Sequence, residues 1–218
     1  MKIGFNLLLW TGHVEEKDFP ILEKLKAAGY DGVEFPIFDT SDPEHYKKIG
    51  QACDDNGLER CSVTICPTDE QSLISTNPTH RQQGIDHLKK VVECGHNAGI
   101  DNICGPYYQE LCNFTGKGAT EEELEWGAEG HRQMADAAQG ANIRLTVEAL
   151  NRFERHFLNT MEQANAYVKR VNHPNFFTMY DTFHANIEEK NPLGVILPNL
   201  DVIKHVHISA NDRGTPGK

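Results

Sequence analysis

Three side chains able to bind a cation stand at or near the ends of three consecutive β-rich runs. Glu148 follows IRLTV, Asp181 follows FFTMY, and His207 lies in DVIKHVHIS. Two carboxylates and an imidazole make a mixed oxygen and nitrogen donor set, which suits Mn²⁺, Co²⁺ or Mg²⁺ and lacks the thiolates that favour a structural zinc. Each residue alone has an ordinary alternative. Glu148 could be a strand-end acid capping the next helix, and Asp181, followed by Thr182, could be an N-cap. Of the two histidines in HVH, His207 is assigned to the cation set and His205 to packing on the helix side. A shared depth at the ends of three successive strands favours a metal centre over three unrelated caps.

That depth has meaning only if the strands run in register. Short β-rich runs at 2–10, 31–38, 58–66, 100–108, 142–150, 175–183 and 201–209 alternate with longer, mostly helical stretches. After the first run, Phe19, Leu22, Leu25 and Ala28 recur at helical spacing and Gly29 ends the pattern. Asp42 is placed to cap the second helix, with Gly57 as its stop; the third begins near Asn77-Pro78, and Thr120 with three glutamates opens the fourth. Strands separated by helices predict a parallel sheet. Seven of them fit a doubly wound sheet or an incomplete (β/α)8 TIM barrel. Neither GxGxxG nor a P-loop follows the first strand, which favours the barrel. Its carboxyl-end face would gather Glu148, Asp181 and His207 at one mouth.

Composition narrows the partners. The chain has 218 residues, room for a single domain over 1–218, with 39% hydrophobic and 24% charged residues and a net charge of −11. No basic run is present to track a phosphate backbone, so no nucleic acid is expected. The N-terminal run carries Asn6 and lacks a small-residue cleavage site, and no segment approaches the roughly 20 apolar residues of a membrane span. Cys53, Cys61, Cys66, Cys94, Cys104 and Cys112 show no CxxC spacing, as expected of reduced thiols in a cytoplasmic protein.

The segments VEALNRFE followed by FLNT, MYDTFHANIEE, and HVHISANDRGTPG resemble, in this order, those of the ketose 3-epimerases, the D-tagatose and D-psicose 3-epimerase group of the xylose-isomerase-like barrels. GPYY at the fourth strand has the same style. The resemblance implies epimerisation of a free ketose at C3 through an enediolate, with a divalent metal, Mn²⁺ foremost, and a homo-oligomer. It makes Glu148 a metal ligand and one of two catalytic glutamates, and Asp181 and His207 further ligands. Glu154, His184 and Arg213 would bind substrate, and Cys66 would line its pocket, although a buried thiol is by residue type ordinary packing. The family continues past the position of Lys218 through a strand 8 bearing a fourth ligand that is also the second catalytic glutamate. The expectation is therefore a C-terminally truncated barrel, poorly stable or self-associating through the edges of strands 7 and 1. Ala210, where many relatives carry an acid, and Asn6 and Trp10 in strand 1 bear on the choice of sugar. The alternatives are an aldose–ketose or hydroxypyruvate-type isomerase of the same superfamily, or a chain that only binds metal or sugar. A DNA endonuclease of this fold is disfavoured by the acidic charge.

Overall fold

A computed structural model describes residues 1–217. Seven strands, β1 (Gly4–Asn6), β2 (Gly32–Pro36), β3 (Glu59–Val63), β4 (Asn102–Gly105), β5 (Arg144–Val147), β6 (Phe176–Asp181) and β7 (Ile203–His207), pair in chain order. Every pairing is parallel. Helices α1 (Pro20–Ala27), α2 (His45–Asp55), α3 (Pro78–Ala98), α4 (Glu121–Gly140) and α5 (Met161–Val171) provide the first five crossovers, and the short α6 (Thr182–Glu188) leaves β6 directly. The sheet curls far enough that His205 and His207 of β7 reach Glu34 of β2. Among the described residues β1 and β7 are not paired with each other, so the barrel is incomplete, as the seven-strand pattern predicts.

Alternation along the strands sorts the two faces. Val33, Phe35, Ile103, Leu145 and Val147 are buried in one cluster with Leu22, Ile49, Leu88, Val91, Met134 and Val171 of the helices. Burying such side chains contributes roughly 1.5 to 3 kcal/mol each. The opposite face carries Glu34, Cys104, Met179, Asp181 and both β7 histidines, and it holds the polar groups described below.

Local chemistry fixes the element ends. Asp42 accepts from the backbone N–H groups of Glu44 and His45 at 3.1 and 3.3 Å. Asn77 caps α3, and Thr120 with Glu123 forms a capping box on α4. The strands are shorter than the apolar runs predict. After Asn6, whose Oδ1 accepts the Leu8 N–H at 2.8 Å, the chain turns into a single 3₁₀ turn, and Leu8, Leu9 and Trp10 become exposed. A continuous apolar run does not distinguish a strand from such a turn. β5 stops at Val147 and β6 at Asp181, which places both acids just at the strand ends. No helix among the described residues is long and apolar enough to cross a membrane.

Candidate active site

Glu148 follows the last residue of β5, and its backbone is held from two sides. Its N–H donates to the Gly105 carbonyl at 3.0 Å, and its carbonyl accepts from the Tyr108 hydroxyl at 3.1 Å. Gly105 has a φ of +121°, and a Cβ there would meet the Thr64 carbonyl oxygen at 2.2 Å, so only glycine lets β4 pass this close. Asp181 ends β6. Its Oδ1 accepts from the N–H groups of Phe183 and His184 at 2.7 and 3.1 Å, capping α6, while its Oδ2 turns to His207. The cap and the ligand assignments are thus both open to one carboxylate, one oxygen for each.

His207 completes the set. Its Nδ1 stands 3.7 Å from Asp181 Oδ2 and 4.0 Å from Glu148 Oε1, outside hydrogen-bond range. Glu148, Asp181 and His207 each offer an atom within 4.8 Å of the others. Three donors that converge without satisfying one another fit a divalent cation, and their oxygen-rich chemistry fits Mn²⁺, Co²⁺ or Mg²⁺. Burial, partly offset by His207 and reinforced by the charges of Asp181 and Glu34, pushes the Glu148 carboxyl up to about 8. Burial also works to raise Asp181, but His207 and His184 outweigh it and hold that carboxyl below its usual value. In His207 the burial that disfavours the imidazolium is overcome by Glu34 and its other neighbours, so the ring is held well above the ordinary histidine range.

The expectation that His205 packs toward the helices is overturned. Residues two apart on a strand share a face, and the register pairs Met179 with His205 and Asp181 with His207, so both imidazoles point inward. There they meet Glu34, a residue that the sequence pattern did not single out. His205 Nε2 lies 2.9 Å from Glu34 Oε2 and His207 Nε2 lies 2.8 Å from Oε1. Asn6 Nδ2 donates to Oε1 at 2.7 Å, and the thiols of Cys104 and Cys61 approach Oε2 at 3.1 and 3.4 Å. Burial would raise this carboxyl, yet the two histidines hold it well below the usual range.

The other residues flagged in the sequence divide into two places. Glu154, His184 and Arg213 are together. His184 Nδ1 accepts the Asn151 backbone N–H at 3.1 Å. Burial disfavours the charged ring and lowers the His184 pKa. Its Nε2 lies 3.6 Å from Glu148 Oε1 and 3.0 Å from Arg213 Nη2. Arg213 also reaches Glu154 Oε1 at 3.2 Å and stacks 4.3 Å over the Phe183 ring, while Asn151 Nδ2 donates to Glu154 Oε1 at 2.7 Å. The Arg213 guanidinium, which only donates, stands beside His184 and suits an acceptor oxygen. Cys66 is elsewhere: it is buried, burial pushes its thiol up to about 12, and Arg155 is the charge that partly counters this. Among the described residues, no hydrogen bond joins Cys66 to the cation set.

A family model described as the xylose isomerase-like TIM barrel matches residues 22–218. A ketose 3-epimerase of Arthrobacter globiformis is 32% identical over the whole chain, which covers 74% of that relative. The chain belongs to the xylose isomerase-like TIM barrels, among the ketose 3-epimerases. A D-psicose 3-epimerase of Agrobacterium fabrum is 30% identical, with 100% of this chain and 75% of the relative covered. A solved D-allulose 3-epimerase of Methylomonas sp., in complex with D-allulose, superposes with a TM-score of 0.91 at 26% identity, over 100% of this chain and 75% of that one. Family membership makes this an isomerase-class barrel, and the matched residues include Glu148, Asp181 and His207.

Proposed function

We propose that this chain epimerises a free ketose at C3, with Glu148 moving the C3 proton on one face of the sugar. The observation that carries the proposal is the convergence of Glu148, Asp181 and His207 at the ends of β5, β6 and β7, in a chain whose relatives are named for this reaction. A divalent ion held by these three residues, Mn²⁺ foremost with Co²⁺ and Mg²⁺ as alternatives, supplies Lewis acidity toward the ketose carbonyl and the adjoining hydroxyl oxygen.

The remaining roles belong to the chain's own groups. Glu148, as its carboxylate, accepts the C3 proton and holds it for return, leaving the sugar as an enediolate between the two steps. Arg213 donates to a sugar oxygen, His184 contacts the sugar beside it, and Glu154 accepts from a hydroxyl while Asn151 fixes its other contact. Cys66 is proposed as part of the wall behind this site. Burial of Glu148, His184 and Asn151 keeps water away from the proton in transit. Inversion also needs a base on the opposite face, so the decisive test reads proton removal separately from inversion. Proton NMR in D₂O, with Mn²⁺ and with a chelator, on D-fructose, D-tagatose and L-ribulose is expected to show metal-dependent deuterium at C3. Deuterium at C1 would assign an aldose–ketose isomerase instead, and no exchange from folded, metal-loaded protein would leave only a binding role.

Proton linkage provides an independent check. With Glu148 at about 8, its carboxyl carries a proton at pH 7 in the metal-free protein, and Glu34 shifts His207 in the direction of its protonated form. Ligation needs both groups deprotonated, so Mn²⁺ uptake at pH 7 is expected to release at least the Glu148 proton. Apparent affinity then rises with pH, about tenfold per unit for each proton released, and the Glu148 share levels off above about pH 8. Calorimetric titration in two buffers of different ionisation enthalpy measures the number, and release of none would refute the ligand assignment.

A further inference from the structure

Glu34 lies outside the cation set, yet it has the most complete hydrogen-bonding environment of any carboxylate in the barrel interior. Asn6 and His207 meet Oε1, while His205, Cys104 and Cys61 meet Oε2. The residue is 4% exposed. Its position is set by the sheet itself, because Asn6 and Cys61 are its register partners on β1 and β3. A carboxylate whose lone pairs are so fully engaged is a poor base and a poor additional ligand, but it is a rigid acceptor. Its bond to His207 Nε2 at 2.8 Å leaves the other ring nitrogen, Nδ1, facing Asp181 and Glu148.

We infer that Glu34 is a positioning residue for the metal centre: it fixes His207 through Nε2, so that the ring presents an unprotonated Nδ1 to the cation. The inference rests on the metal reading proposed above. Its physical basis is general. An imidazole ligand has two tautomers and two ring flips, and a carboxylate on the far nitrogen selects one of them while making the near nitrogen more basic. His205, bonded to the other oxygen, holds the carboxylate from rotating away. The alternative use of the same residues is a second cation among Glu34, Cys104, His205 and His207, which also lie within 4.8 Å of one another. Against it, the shortest contacts in that group are hydrogen bonds the residues already make to each other. The same group would also have to share His207.

The test compares wild type with Glu34→Gln, which keeps the size and removes the charge, and with His205→Gln, which loosens the carboxylate while leaving the Glu34–His207 pair in place. Mn²⁺ affinity at pH 8 is measured by calorimetry and by electron paramagnetic resonance. The His207 tautomer is read in metal-free protein by two-bond ¹H–¹⁵N correlation, above the titration of the ring, with assignment through loss of the signal in His207→Gln. One Mn²⁺ per chain is expected in wild type, with Kd rising about 10- to 100-fold in Glu34→Gln and less in His205→Gln. The proton of His207 should move from Nε2 toward Nδ1 in Glu34→Gln, with circular dichroism and the unfolding transition retained. Should Glu34→Gln not fold, His205→Gln carries the same readouts at smaller amplitude. Wild-type affinity together with an unchanged tautomer would overturn the inference, and so would a second Mn²⁺ or Zn²⁺ lost on substituting Cys104 or His205, since Glu34 would then be a ligand. A wild-type chain that binds no Mn²⁺ but shows the tautomer shift removes the metal reading while sustaining Glu34 as the residue that orients His207.

Discussion

Glu148→Gln is expected to slow metal-dependent deuterium uptake at ketose C3 by about a thousandfold or more, the range for loss of a positioned general base. Glutamine keeps the volume, and the backbone contacts with Gly105 and Tyr108 do not involve the side chain, so the site keeps its shape. Stability makes a sharper control. In the metal-free protein burial holds the Glu148 carboxyl near 8, against an unfolded value of 4.5. The folded state therefore keeps a proton between those pH values that the unfolded chain has lost. Stability falls as pH rises through this window, because ∂ΔG/∂pH follows the excess of protons on the unfolded state, which here is negative. Glutamine cannot ionise, so the variant escapes this loss. Metal-free Glu148→Gln should match wild type near pH 5 and exceed it by up to a few kcal/mol at pH 9. Urea unfolding at both pH values measures this. A variant that is inactive and also unstable at pH 9 would mean that Glu148 is a structural carboxylate rather than the base.

The β/α rhythm was legible because parallel strands buried on both faces read as β-rich runs and their helices carry apolar residues at helical spacing. The first strand is shorter than its apolar run, since nothing in LLLW separates extended chain from a turn nucleated by the Asn6 side chain. At the site, Glu148, Asp181 and His207 could be found because each lies at or near the end of its run. Glu34 lies in the middle of its run, in GVEFP, where a rule that looks at carboxyl ends does not reach. Its visible signal is a charged residue in a strand otherwise apolar, whose five residues are all buried. The two-residue period of a strand puts His205 on the same inward face as His207, against the expectation of packing on the helix side. What no pattern along the chain could provide is the contact between β2 and β7, since their approach depends on the curvature of the sheet.

Asp181→Asn separates two roles that one side chain performs at once. Asparagine is as good an N-cap as aspartate, so the bonds from the Phe183 and His184 N–H groups to Oδ1 survive and α6 should keep its start. With Oδ1 kept in the cap, the atom facing His207 is the Nδ2 amide, which only donates and cannot replace a carboxylate oxygen in a hard-cation site. Mn²⁺ affinity is expected to fall more than about a hundredfold, beyond the range for an outer residue such as Glu34, while metal-free thermal unfolding shifts little. Asp181→Ala removes the cap as well, and should lose the same affinity plus about 1 kcal/mol of stability. His184 connects the two roles. Its N–H is one of the capped groups, and its ring faces Glu148 and Arg213, so an unseated α6 would displace a proposed sugar-binding group along with the ligand. If asparagine binds Mn²⁺ as wild type does and only alanine is impaired, the carboxylate is a cap alone. The cation would then have to be held by Glu148 and His207 without it, too few protein ligands for the centre proposed for this barrel.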